Sequence, residues 1–257
     1  MIARRVSLLA SVGAALVVVA CTNSFEIPIE TPIRPKLDVA AFQRVLVAGF
    51  IAGGTEDVDG NLETTRLLRS QLRTKSELRV IDSDVLPLQD VANEGRNGDS
   101  GGGGGAAATP APAAIKEQKD LEAYEHVFAN VEYWKRIGEE YQQPLIVTGT
   151  VLFTPLQRNQ IVQREQEVYD SFGRRRVVPV RTYQERKGFS LDGRFIFIDG
   201  RSGATLHSES FNEQILYNAN QTTPALSSYF ELMDRLIPSF LSTLSSQKIK
   251  GTRILLQ

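Results

Sequence analysis

The side chains able to do chemistry are few and scattered. The run Glu56-Asp57-Val58-Asp59-Gly60-Asn61 sets three carboxylates close together, as oxygen-rich Ca²⁺ loops do. An EF-hand loop also needs further ligands and a bidentate Glu at its twelfth position, and only part of that spacing is present. A solvated loop ahead of a helix accounts for the run more simply. The overlapping stretch GFIAGGTED is glycine-rich but lacks the consecutive Lys-Ser/Thr pair with which a P-loop reaches phosphate and Mg²⁺. His126 and His207 are the two histidines. Neither has a nucleophile or a second ligand beside it in sequence, and a general base needs such a partner within reach. No G-x-S-x-G nucleophile elbow occurs. The single cysteine, Cys21, excludes an internal disulfide and a multi-cysteine metal cluster. The expectation is a protein that is not an enzyme, with no metal and no dissociable cofactor.

Cys21 has a different use. Residues 1–20, MIARRVSLLASVGAALVVVA, open with Arg4 and Arg5 and continue in an uncharged apolar run from Ser7 to Val19. This is the pattern of a signal peptide, and the run is shorter than the roughly 20 residues of a transmembrane helix. It ends in Val18-Val19-Ala20-Cys21, which resembles the lipobox of bacterial lipoproteins. The resemblance implies cleavage before Cys21, diacylglycerol on its thiol and an acyl group on the new amino terminus. Several acyl chains, each CH₂ contributing about 0.8 kcal/mol, anchor a protein stably where one does not. In that lipoprotein family an Asp after the Cys tends to retain the protein at the inner membrane; Thr22 in its place implies the outer membrane, facing the periplasm, where the source has two membranes. Removing residues 1–20 leaves 27 basic and 30 acidic side chains. So balanced a chain excludes a general polyanion binder, and no nucleic-acid partner is expected.

The exposed group with the most to offer is Arg174-Arg175-Arg176 beside Tyr169 and Phe172. Aromatic rings and guanidinium groups at a hairpin end suit contact with an acidic patch, a glycan or lipid headgroups; the competing reading is a solvated turn. These five residues are the expected partner-binding site. A long, charged, projecting hairpin also carries unpaired edges that accept a partner strand.

The elements that position these residues follow from hydrophobic spacing. Residues 21–36, with Pro28, Pro32 and Pro35, read as a lipidated tether, extended rather than helix or sheet, reaching at most roughly 45–50 Å. RVLVAGFIA at 44–52 reads as a buried strand. A helix from about Leu62 to Lys75, with Asn61 as its N-cap, and a strand at Leu78–Asp82 complete a parallel pair with a right-handed crossover. Residues 89–115 include five consecutive glycines and read as a disordered surface insertion. A single long helix is expected over Glu117–Gln142, ended by Pro144, and then a buried strand at 145–153. A hairpin pairing 161–171 with 177–198 follows, and a second turns at Asp199–Gly203 into Thr205–Leu216. A last helix covers about Pro224–Ser246. The order β-α-β-α-β-β-β-α predicts one α/β domain over 37–257, with a mixed sheet and a long projecting antiparallel hairpin.

Three passages behind the lipobox resemble the periplasmic domain of the curli-type secretion lipoproteins, a family that also includes the amino-terminal domain of TolB and lipoproteins that activate peptidoglycan synthases. They are RVLVAGF at 44–50, PLIVTGTVLF at 144–153, and RFIFIDGRSGATLHSES at 194–210 with its D-x-x-S-G turn. The resemblance implies an α/β fold and, as an alternative to a simple adaptor, a ring-forming accessory or channel component of a curli-like secretion system. Pore strands alternate apolar and polar over roughly 9–11 residues. IVQREQEVYD at 161–170 has no lipid face on either side, so a pore is not expected. The tether is short beside the long one with which the synthase activators cross the envelope. The function expected is a non-catalytic adaptor or scaffold lipoprotein. It is held to the membrane by its lipid and binds another envelope protein, or itself, through the hairpin.

Overall fold

The computed structural model describes residues 24–98, 114–218, 221 and 223–256. The expected signal peptide, Cys21 and the glycine run of the expected insertion lie outside the described residues. The chain divides into two compact units, residues 36–244 and the two chain ends.

In the unit made by the ends, β1 (Ser24–Ile33) pairs antiparallel with β7 (Gln247–Leu256), Ser24 opposite Leu256 and Ile33 opposite Gln247. Where the sequence suggests a tether outside any sheet, residues 24–33 are thus a paired strand. A two-stranded ribbon leaves each strand an outer edge, and Pro28 and Pro32 are compatible with strand structure where the missing N–H would face outward.

The larger unit is a five-stranded mixed sheet, as the α/β reading expects, its strands in the order Arg79–Val80, Arg44–Gly54, Leu145–Tyr169, Arg175–Asp199 and Thr205–Asn218. The element β2 (Arg44–Gly54) leads through α1 (Gly60–Lys75) to β3 (Arg79–Val80), parallel to β2 but only two residues long. Asp59, not Asn61, caps α1: its carboxylate accepts from the Leu62 N–H at 3.0 Å. Asn61 instead accepts from the Phe50 N–H at 2.7 Å and ties the helix start to β2.

Where the expected insertion would begin, Leu88–Gly98 is helix α2, with Leu88 and Ala92 fully buried. The single helix expected over 117–142 is three short ones: α3 (Gln118–Glu122), α4 (Glu125–Ala129) and α5 (Val131–Glu140). Asn130 makes one of the breaks. Its side chain accepts from the Tyr133 N–H at 3.0 Å, capping α5 with backbone angles that no helix contains. Trp134 Nε1–H donates to the Val127 carbonyl at 2.9 Å and holds the two segments together.

The strand at 145–153 and the hairpin after it are one continuous element, β4 (Leu145–Tyr169). It pairs antiparallel with β5 (Arg175–Asp199), residue for residue from Leu145 opposite Asp199 to Tyr169 opposite Arg175. The turn Asp199–Gly203 then leads into β6 (Thr205–Asn218), and α6 (Ala225–Leu244) closes the unit.

Alternation along the strands divides the core. Leu145, Val147, Val151 and Phe153 of β4 face Leu68 and Leu72 of α1 and Tyr229, Leu232 and Phe240 of α6. Ile146 and Leu152 face Trp134, Phe128, Leu121 and Leu88 on the other side. In β2 the alternation slips at a bulge between Val47 and Gly49, so that Val47 and Phe50 share one face. The result is a sheet between two helical layers. Among the described residues, no helix is long and apolar enough to cross a membrane.

Candidate partner-binding ribbon

β2 stays paired with β4 only as far as Phe153, and β6 with β5 only as far as Arg186. From Asn159 opposite Glu185 to Tyr169 opposite Arg175 the two strands continue alone. At about 3.4 Å per residue this arm is roughly 35 Å long. Nearly all of it is exposed, including Ile161, Tyr183 and Val177.

Its end is built by Asp170. The carboxylate Oδ1 accepts from the backbone N–H of Phe172 at 3.0 Å and of Arg174 at 2.9 Å, and Oδ2 accepts from Arg174 Nε at 3.1 Å. Arg176 Nε lies 3.7 Å from the same oxygen. Gly173 adopts φ 73° and donates to the Asp170 carbonyl at 2.9 Å. That left-handed turn is open to glycine at little cost. The turn presents Phe172 at 80% exposure, with the Arg174 guanidinium 5.3 Å from its ring centroid.

The five residues expected as a site are therefore brought together, but not as one patch. Arg175 lies opposite Tyr169 and pairs with Glu167 at 3.1 Å, whereas Arg176 is on the other face, opposite Val168. Asp170 escaped the sequence reading, although an Asp opening a D-x-x-G turn is a recognisable Asx-turn signal.

The other chemistry candidates are engaged in structure. Thr55 Oγ1 donates to Asp57 at 3.0 Å, and Asp59 is the helix cap already described. Both ring nitrogens of His126 face backbone carbonyls, of Ala123 at 3.0 Å and of Ala92 at 3.3 Å. His207 Nε2 stands 3.5 Å from Glu209. Burial pushes the Glu209 carboxyl up, but hydrogen bonds from Lys36 and Thr243 and the Lys36 charge outweigh it and hold the group below its ordinary range. Among the described residues no cluster of His, Cys, Asp or Glu has the makings of a metal site. An open groove of about 720 Å³ lies between α3 and the sheet, lined by Glu122, Glu125, Thr150, Asp192, Arg194 and Asn212. Arg194 pairs there with Glu125, and Asp192 accepts a hydrogen bond from the Asn212 amide.

No family model matches the chain, and no curated protein matches it. Among solved structures, a neuraminyllactose-binding hemagglutinin homolog from Helicobacter pylori is 10% identical, with a TM-score of 0.39 over 83% of this chain and 88% of its own. Lipoprotein GNA1162 from Neisseria meningitidis is 13% identical, with a TM-score of 0.34 over 77% and 96%. The PelC dodecamer from Paraburkholderia phytofirmans is 16% identical, with a TM-score of 0.36 over 87% and 100%. Likenesses this distant carry no argument about activity.

Proposed function

We propose that the chain is a lipid-anchored, non-catalytic adaptor of the bacterial envelope that binds another envelope protein through the end of the β4–β5 arm. The observation that carries this reading is the arm itself. A strand pair runs well beyond the core that stabilises it, to a turn ordered by Asp170 that displays Phe172 and three arginines. Exposed aromatic and Arg side chains on a rigid turn have the composition of interface anchors. Membrane attachment rests on the lipobox pattern around Cys21, the one cysteine of the chain.

Two measurements test the two halves. Metabolic labelling with a fatty acid is expected to mark the protein and to fail for Cys21→Ser. A photo-crosslinker at Phe172 is expected to capture a partner in intact cells, with capture lost when Arg174, Arg175 and Arg176 are replaced by Ala. Capture unchanged by that triple variant would remove the arm's end as the docking surface. A ring-forming component of a secretion system is the other reading. Light scattering of the detergent-solubilised protein separates the two, since a monomer is incompatible with a ring.

A further inference from the structure

We propose that the free edge of β4, from Leu156 to Tyr169, takes up an extended segment of a partner protein as an added strand, and that this segment carries carboxylates over the arm's arginine face. The inference rests on the adaptor reading and supplies the chemistry of the partner.

The register of the arm sorts its charges. On one face stand Arg158, Arg164, Arg176 and Arg186 with Val162, Val168, Val178 and Val180, and no strand position there holds an acid. Among the described residues, Arg158, Arg164 and Arg186 take part in no ion pair; Arg158 donates to Gln214 at 2.8 Å, and Arg176 reaches Asp170 in the turn. The opposite face holds Glu165, Glu167 and Glu185 against Arg175, Arg181 and Lys187 and is balanced. Arg175 pairs there with Glu167, and Lys187 with Glu185 at 3.4 Å.

The two edges of the arm differ as well. Among the described residues no strand pairs with β4 beyond Phe153 on its outer side. Pro179 interrupts the outer side of β5, since a proline within a sheet lies where its missing N–H would have faced outward. From Leu156 to Tyr169, β4 has no proline and offers an unbroken row of donors and acceptors.

A second copy of this chain is a poor occupant of that edge. The backbone groups that point outward belong to alternate residues, so antiparallel pairing of β4 with another β4 sets residues of the same face beside each other. The arginine faces would then merge, and like charges across strands are destabilising. A flat bilayer is a poor occupant too. The right-handed twist of a two-stranded ribbon turns the arginine row away from any plane, whereas an added strand twists with it.

The test uses the full-length protein in detergent and a fluorescent peptide of about twelve residues alternating Val with Glu, long enough to cover the edge. Binding is read by anisotropy, together with hydrogen–deuterium exchange on the arm. The expected result is slowed exchange in 156–169 but not in 177–183. The same peptide with Lys for Glu should fail to bind. The double variant Arg158→Gln with Arg164→Gln should weaken binding roughly tenfold while leaving the unfolding temperature unchanged. Absence of protection on β4, equal binding of the Lys peptide, or occupation of the arginine face by dextran sulfate or phosphatidylglycerol vesicles but not by the peptide would each overturn the proposal. Crosslinking from Phe172 that persists while the peptide fails discards this inference and leaves the adaptor reading standing.

Discussion

Asp170 orders the arm's end through one carboxylate that serves two backbone N–H groups and one guanidinium. Asp170→Ala leaves those donors to water. At about 1 kcal/mol for an exposed, charge-assisted set, amide exchange at Phe172 and Arg174 should quicken roughly fivefold, while the unfolding temperature stays put; unchanged exchange would mean the turn is held by β4 and β5 alone. Glu209 is a residue whose ionisation bears on stability. Its carboxyl is held below the ordinary value of 4.5 by Lys36 and Thr243 against the opposing effect of burial. A lowered folded value means a contribution fully present above that ordinary value and lost as pH falls through the folded one. Wild type should therefore exceed Glu209→Gln in thermal stability at neutral pH, and the gap should close in acid. A gap independent of pH would assign the effect to packing. Neither residue stands out in the sequence. The three arginines do, and alternation alone sets Arg175 and Arg176 on opposite faces; which cross-strand residues each meets depends on the register, fixed only once the turn is placed.

Elements with one strong period were legible. Val45, Val47, Leu145 and Val147 announce buried strands, and Asp199–Gly203 announces its turn. The long helix over 117–142 was not, because its apolar residues keep helical spacing across a break that Asn130 makes by capping. Spacing records which side of a segment is buried; it does not record whether the axis continues. Nor did prolines at 28 and 32 betray a paired strand, since its partner lies more than 200 positions away. The short helix α5 exists to fit against the Asp199–Gly203 turn. A Cβ on Gly138 would come within 1.8 Å of the Gly200 carbonyl oxygen. Gly138→Ala is expected to destabilise the larger unit by roughly 1–3 kcal/mol through this overpacking, measured by urea unfolding. A neutral result would show that α5 can shift on the sheet.

For the whole molecule, the arm should be separable from the body. The core on both sheet faces draws its buried side chains from residues outside 157–187. Replacing residues 159–185 by a two-residue turn should leave the unfolding temperature within a few degrees, since it removes no side chain of either core cluster, and should abolish partner capture. A collapse of the fold on this deletion would make the arm structural. Net charge, near zero over the chain, argued against a polyanion partner and still does for the chain as a whole. It could not reveal that the arm sorts arginines to one side, because that needs both strands in register. The same continuity has a mechanical side. β4 and β5 are single strands from turn to core, and within the sheet they are flanked by β2 and β6. A pull on the tip along the arm therefore loads those flanking ladders in shear, many hydrogen bonds at once, rather than peeling them one by one. The tip can serve as a handle under tension without the body giving way first.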